Sequence, residues 1–204
     1  MEEQLIITIG REYGSGGHEI AERLAEKFQL PLYDKEKIES LVAEESGYDL
    51  ELVKKMDERP ISRLFSRRFD EYSTSIPEHV ARRTFEVLKQ MAGRGESFVV
   101  VGRCAEYVLR ENPTAVHFFI NGEYQWKISR LMESQGYGSK QEAAAAMKLQ
   151  NAMRKSYHNY YCDTKWGDSR GYNLVINSSV LGIDASVEVL IKFIELFLEK
   201  KANC

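Results

Sequence analysis

The chain has 204 residues, of which 43% are hydrophobic and 29% charged, an ordinary globular balance that fits one domain with a sizeable core and shows no bias towards disorder. The formal net charge of −3 leaves no overall positive field to recruit a nucleic acid polymer or an anionic membrane, so a polyanion has to be held by a local cluster. Three cysteines, Cys104, Cys162 and Cys204, are far apart and odd in number, which argues against a disulfide framework or a zinc site and suits a reducing cytosol. Met1 to Gln4 carries no basic leader and no apolar run approaches membrane length, so a cytoplasmic protein is expected.

In chain order, Leu5 to Ile9 is short, apolar and β-branched, and reads as a buried strand. Ile20, Leu24 and Phe28 then recur at helical spacing, with Glu22, Arg23, Glu26 and Lys27 opposite, which predicts an amphipathic helix over about 17–29. Leu30 to Asp34 reads as a second, shorter strand. Residues 35–95 are helical in character and rich in charge, punctuated by Ser46-Gly47, Pro60, Ser73-Thr74-Ser75 and Pro77. Phe98 to Val101 and Val116 to Ile120 are further buried strands, the second followed by a helix over about 122–135. A long polar helix spans about 139–161. Asn173 to Ile176 is the last strand, and Val187, Leu190, Ile191, Ile194 and Leu198 line a C-terminal helix. Apolar strands alternating with helices imply an α/β fold whose parallel sheet is covered on both faces. No repeat or linker interrupts residues 1–204, so a single domain is expected, with 35–95 and 138–172 as subregions able to move.

The most informative segment is Gly10-Arg11-Glu12-Tyr13-Gly14-Ser15-Gly16-Gly17-His18-Glu19, between the first strand and the first helix. Glycines there let successive N–H groups converge on phosphate oxygens, and the helix N-terminus adds its partial positive charge. A tight turn alone would use fewer glycines. Set against G-x-x-x-x-G-K-[ST], with Gly16 as the second glycine, the lysine position is Gly17 and the first glycine position is Arg11. The loop thus has the backbone cradle of a P-loop without its lysine, and without a magnesium-holding hydroxyl at His18 or Glu19. Arg11, with His18 as the alternative, is the candidate to supply the missing charge. Gly14, Ser15, Gly16 and Gly17 would hold donor phosphates through the backbone, His18 and Glu19 completing the loop.

Ile7 to Gly17 followed by Glu19-Ile20-Ala21 resembles the start of the cytidylate-kinase-like family. The resemblance continues through Leu32-Tyr33-Asp34-Lys35, Val99-Val100-Val101-Gly102-Arg103-Cys104-Ala105, Ser156 to Tyr161, Lys165-Trp166-Gly167-Asp168 and Ile176-Asn177-Ser178-Ser179. It implies a P-loop nucleoside-monophosphate-kinase fold: a five-stranded parallel sheet, a helical acceptor-binding subregion and a lid. By the same resemblance, Arg103 would clamp the acceptor phosphate, with Cys104 standing where cytidylate kinases have an acid. Arg82 or Arg83 would lie where an acceptor-phosphate arginine belongs, although a solvated helix face explains them equally well. Asp34 would hold a ribose hydroxyl or an amino group, or cap the helix starting at Lys35. Arg154 matches a lid arginine, flanked by Lys155 and Tyr157. Cys104 reads as a small buried hydrophobe, since no base partner is visible beside it. His117 reads as a core histidine, and Trp126 and Trp166 as packing residues.

The expected function is ATP-dependent phosphoryl transfer to a nucleoside monophosphate or a related small acceptor. Arg11 and Arg154 are the candidate catalytic residues, with Mg²⁺ as cofactor and Glu19 or Ser15 near it. A non-catalytic nucleotide or phosphometabolite sensor on the same scaffold is the alternative, suggested by the absent lysine. A helical interaction module built on 35–95 is a third class. A homodimer through the long helices is left open.

Overall fold

The computed structural model describes residues 4–57 and 76–202. Pro60 and Ser73-Thr74-Ser75, singled out above as punctuation, lie outside the described residues. Within them five strands form one parallel sheet in the order β2-β3-β1-β4-β5, where β1 is Ile6–Arg11, β2 Leu32–Tyr33, β3 Phe98–Val101, β4 Ala115–Asn121 and β5 Leu174–Asn177. The central strand β1 pairs Ile6 with both Phe98 and Ala115 and runs in register to Arg11 opposite Ile120. The strands therefore end together, and the loops after β1 and β3 emerge side by side at the carboxyl edge, where open α/β sheets bind ligands.

Side-chain alternation along the strands builds two core layers. Ile7, Ile9, Val99, Val101, Phe118 and Ile120 face α1 (Gly17–Lys27) and α8 (Ser178–Ala202), meeting Ile20, Leu24, Val187, Leu190 and Ile194. Ile6, Phe98 and Val100 face the other way, against α2 (Lys35–Ser46), α3 (Leu50–Asp57) and α4 (Ile76–Gly93), through Ile38, Val42, Val53, Val87, Leu88 and Met91. A short α5 (Ala105–Val108) follows β3, and α6 (Tyr124–Gln135) follows β4. The long α7 (Lys140–Tyr161) packs on α6 through a small cluster of Ile128, Leu131, Ala143 and Met147, to which Tyr13 of the glycine loop adds itself.

The expected elements are present, with boundary differences that have local causes. The second strand is only Leu32–Tyr33, because Asp34 leaves the sheet to cap α2, its carboxylate accepting from the Lys37 N–H at 3.0 Å. The C-terminal helix begins directly at Ser178 but is broken at Gly182 (φ 73°, ψ 176°), a conformation open to glycine. The break aims Ile183 at the glycine loop, where it fills the space that a side chain at Gly16 would need. No helix among the described residues is long and apolar enough to cross a membrane.

Candidate functional site

The glycine loop turns sharply from β1 into α1, and its left-handed residues are glycines, Gly14 at φ 82° and Gly16 at φ 76°. It is pinned from inside: the Ser15 hydroxyl donates to the Glu12 carbonyl at 2.8 Å, and the buried Ser178 hydroxyl donates to the Ser15 carbonyl at 2.7 Å. Ser15 is fully buried, so its side chain serves the loop's own geometry, and the partly exposed surface of the turn is that of Gly14 and Gly16 on either side of it. Glu12 is ion-paired with Lys127 of α6. The loop is also held from above, because the Tyr13 N–H donates to Asn151 Oδ1 of α7 at 2.7 Å and the Tyr13 hydroxyl meets that of Tyr137 at 3.1 Å. Burial pushes the Tyr13 hydroxyl pKa up to about 12, helped by that contact.

Arg11 explains the unusual sequence of this loop. A Cβ at Gly17 would lie 2.5 Å from the Cβ and 3.0 Å from the Cγ of Arg11. The arginine side chain therefore runs through the space that a residue-17 side chain would take, and glycine at 17 is what makes room for it. It then crosses Gly102, whose hypothetical Cβ would collide with its guanidinium. A cation thus reaches the loop from the end of β1 and not from the start of α1. His18, the alternative source of charge, is exposed and lies 3.4 Å from Glu22.

Two hollows flank this arginine. One, of about 430 Å³, lies over the loop and is lined by Gly14, Gly16, Gly17, His18 and Glu19, with Arg130 and Leu131 of α6 opposite. The other, of about 180 Å³, lies under α7 and is lined by Lys35, Gly102-Arg103-Cys104, Glu106, Tyr157 and His158 among others. Arg11 and Arg154 line both. Arg154 Nη1 donates to the Arg11 carbonyl at 3.1 Å, and its guanidinium lies 5.5 Å from the centre of the Tyr13 ring, within cation–π range. Burial, then Arg154 and Arg103, push the Arg11 pKa down. Burial likewise brings Arg154 down to about 10. Arg11, buried and close to two other guanidiniums, has its charged form disfavoured, and an anion placed beside it relieves that cost.

The turn after β3 is strained. Gly102, Arg103 and Cys104 are consecutive left-handed residues at φ 77°, 60° and 54°, and the two with side chains cost of order 1–2 kcal/mol each. The turn aims Arg103 inwards, with its side chain 10% exposed and 3.5 Å from Glu39, a buried carboxylate that also meets Lys35 at 3.7 Å.

The structure brings together Arg11, Arg103, Arg154, Tyr157 and the glycine loop, and leaves other expected residues apart. Asp34 caps α2. Arg82 and Lys155 are exposed and line neither hollow. Glu19 is on the rim of the loop hollow, held by Arg130 at 2.9 Å and Arg23 at 3.0 Å. His117 is buried in the sheet, 2.9 Å from the Thr8 hydroxyl. Trp166 packs edge-on against Phe119 and also lines the hollow under α7. Residues that the sequence did not single out individually are Asn151, Lys127 and the Glu106–His158 pair at 2.8 Å, each defined by a partner distant along the chain.

Donor phosphates would bring Mg²⁺ with them, and this ion takes most of its ligands from phosphate oxygens and water. Among the described residues no group of three or more His, Cys, Asp or Glu forms a metal site. Three carboxylates line the loop hollow, and each has a basic neighbour: Glu19 has both oxygens engaged by arginines, Glu12 is paired with Lys127, and Glu22 lies near His18. The residues present thus fit an ion carried in by a nucleotide and met through water.

A sequence model of the cytidylate kinase-like family matches residues 6–180. Among solved structures, an uncharacterised protein from Eubacterium ventriosum is similar at 36% identity and a TM-score of 0.75, over 94% of this chain and 99% of that one. A gluconokinase from Sinorhizobium meliloti (14% identity, TM-score 0.54, 98% and 99% coverage) and a shikimate kinase from Bacteroides thetaiotaomicron (15%, 0.52, 94% and 98%) share the fold. At these identities the likeness concerns the fold alone. No curated protein matches the chain.

Proposed function

The chain belongs to the cytidylate kinase-like family, and from that premise we propose that it transfers the terminal phosphoryl group of ATP to a nucleoside monophosphate or a related small anionic acceptor. The observation that carries this reading is the position of Arg11 and Arg154, which line both the hollow over the glycine loop and the hollow under α7. A phosphoryl group passing from one to the other would move between these guanidiniums.

In this reading the backbone of Gly14 to Gly17 seats the donor phosphates at the N-terminus of α1, and His18 and Glu19 complete its wall. Arg103, with Lys35 beside it, holds the acceptor's anionic group in a bidentate fork. Tyr157 and Trp166 close the apolar side of that hollow. Phosphoryl transfer asks little covalent chemistry of the protein, so in-line placement and charge stabilisation do most of the catalysis. Arg11 takes the place of the missing lysine's charge, and Arg154 adds a second donor from α7, the core of a lid spanning about 138–172. Mg²⁺ bound with ATP would neutralise charge on the donor oxygens, and Glu19 would orient its water. Arg82 and Lys155 would act, if at all, only after α4 or α7 moves inwards. The hollows and charges suit a small molecule in the cytosol.

The test is ADP formation by the purified chain with Mg-ATP and a panel of nucleoside monophosphates and small phosphorylated or carboxylated acceptors. The reading expects one acceptor class to yield ADP, with that yield lost in Arg154→Ala while the circular dichroism spectrum is kept. Tight nucleotide binding without ADP for any acceptor would overturn it in favour of a sensor.

A further inference from the structure

Beneath the acceptor hollow lies a group of side chains that phosphoryl transfer does not use. Cys104, in the strained turn after β3, and Cys162, the residue that ends α7, are both free and buried, 3% and 6% exposed. The segments carrying them are tied together on either side, by His158 and Glu106 at 2.8 Å and by the Tyr107 hydroxyl, which donates to Asp163 at 2.7 Å, and the two thiols are near enough for each to shift the other's ionisation. His158, one helical turn before Cys162, accepts the Cys162 N–H at its main-chain oxygen at 2.8 Å, holds Glu106 of α5 at 2.8 Å through its Nε2, and lies near enough to the Cys162 thiol to favour its ionisation. Glu106, His158 and Cys162 thus form a chain of carboxylate, imidazole and thiol, with a second thiol against its end. Cys104, His158 and Glu106 also line the hollow under α7, so a small solute entering that hollow reaches the cluster.

We propose that Cys162 is a site of oxidation by hydroperoxides and that Cys104 is its resolving thiol, the pair closing to a disulfide across the floor of the hollow. A nucleophilic thiol needs a base or cation beside it, a route for the oxidant and a second thiol in reach; His158 and Cys104 supply the first and the last, and the hollow brings the oxidant as far as Cys104, His158 and Glu106, the immediate neighbours of Cys162. The neighbouring groups favour the thiolate on balance, although Glu106 and burial oppose it. Cys104 lowers the Cys162 pKa, burial opposes it, and His158 lowers it further, to about 7. Burial works against the His158 cation, but the contacts to Cys162 and Glu106 outweigh it and hold the imidazole pKa at about 10.

In the first step the Cys162 thiolate attacks one oxygen of the hydroperoxide and the O–O bond breaks. The sulfur becomes a sulfenic acid, and the leaving oxygen takes a proton from the imidazolium of His158 to depart as alcohol or water. In the second step Cys104 attacks that sulfur, the S–O bond breaks, and the released hydroxide takes the Cys104 proton and leaves as water. Two thiols and one hydroperoxide give one disulfide, one alcohol or water, and one further water. The bond, about 2.05 Å long, requires the two neighbouring thiols to close on each other. The bond would tie the end of the helix carrying Arg154 to the turn carrying Arg103. A dithiol reductant reverses it by exchange.

The experiment treats the full reduced chain with a few equivalents of hydrogen peroxide and maps the products by peptide mass spectrometry, with dimedone as the sulfenic acid trap. The expected result is a linked Cys104–Cys162 peptide pair in the wild type. Cys104→Ser should give a dimedone adduct on Cys162, and Cys162→Ser should leave Cys104 reduced. In His158→Gln, oxidation should slow by about tenfold or more. Thermal melts of each variant confirm that the fold is kept, and the wild-type map stands by itself where a variant does not fold. Oxidation confined to Cys204, a disulfide between chains, or an adduct on Cys104 in place of Cys162 would overturn the proposal. None of these readouts requires phosphoryl transfer, so failure here is separable from failure of the proposed function.

Discussion

The guanidinium of Arg154 donates to the main-chain oxygen of Arg11 at 3.1 Å, so the helix that would cover the transferred group is anchored to the strand that would supply the other cation. Both arginines are thereby fixed in place before a ligand arrives, and preorganised charge is worth more than charge recruited during a reaction. Arg154→Ala should lower kcat for ADP formation by about 10²–10³-fold, the range for loss of one such donor. Arg154→Lys should recover only a small part of it, because a lysine cannot reach the Arg11 carbonyl and a phosphoryl oxygen together. Steady-state kinetics on the three proteins checks this.

Arg11 and Gly17 compete for one space. Gly17→Ala places a Cβ 2.5 Å from that of Arg11, and overpacking of this kind costs about 1–3 kcal/mol. Removing the obstructing Cβ by Arg11→Gly should make the same alanine nearly neutral. Urea denaturation of the four proteins in this cycle should show a coupling of about 1 kcal/mol or more between the two sites. Additive effects would mean that Arg11 does not lie across residue 17 in solution.

The mutual repulsion of Arg11, Arg103 and Arg154 predicts that small oxyanions stabilise the fold. At concentrations tenfold above their dissociation constant, sulfate or phosphate should add about 1.4 kcal/mol, a rise in Tm of about 3–6 °C for a chain of this size. The comparison is made against chloride at matched ionic strength. Arg103→Ala should weaken the rise without abolishing the melt.

Asn151 satisfies the Tyr13 amide. Asn151→Ala should leave that donor without its partner and cost about 1–2 kcal/mol. Hydrogen exchange should speed up at Tyr13 and along α7 while the strands stay protected. Unchanged exchange at Tyr13 would show that α7 does not hold the loop.

Two buried histidines should titrate in opposite directions. Burial lowers the His117 pKa and keeps its ring neutral at pH 7. His158 is held at about 10 by Cys162 and Glu106 against the effect of burial. Because its folded pKa exceeds the unfolded value of about 6.5, His158 contributes stability that is complete below about pH 6.5 and is lost as pH rises through about 10. The groups facing it are Cys162, Glu106 and, through Cys162, Cys104, whose own pKa its thiol neighbour and burial both raise. Nitrogen-15 chemical shifts of the two rings between pH 6 and 9 should show one imidazolium and one neutral imidazole, and Glu106→Gln should bring the His158 titration down into that range.

Local pattern made much of this fold legible from sequence. β1, the glycine loop and α1 are contiguous, and each declares itself by apolar runs, glycines and helical spacing over a dozen residues. The parallel sheet followed from strands alternating with helices. Asp34 shows the limit of such reading: strand and cap compete for the same residue, and the hydrogen bond to the Lys37 N–H ends β2 early. The site was less legible, because its decisive contacts join distant residues. Asn151 meets Tyr13 across 138 positions, and His158 meets Glu106 across 52. Cys104 looked like a plain apolar residue since its partners, Cys162 and His158, arrive from the far end of α7. Arg82 and Lys155 show the converse limit, since a suggestive neighbourhood in sequence does not say which way a helix turns its side chains, and both are exposed in this structure.

Arg11 belongs to the central strand, which pairs with β4 through Arg11 itself and with β3 as far as Ile9. A lysine at position 17 would ride on the opening turn of a helix, and would share every tilt and fraying of that turn. Mounting the cation on the sheet instead separates the charge from the cradle, so the two can be altered independently by mutation. In such a molecule the loop can breathe while the field at its mouth holds steady.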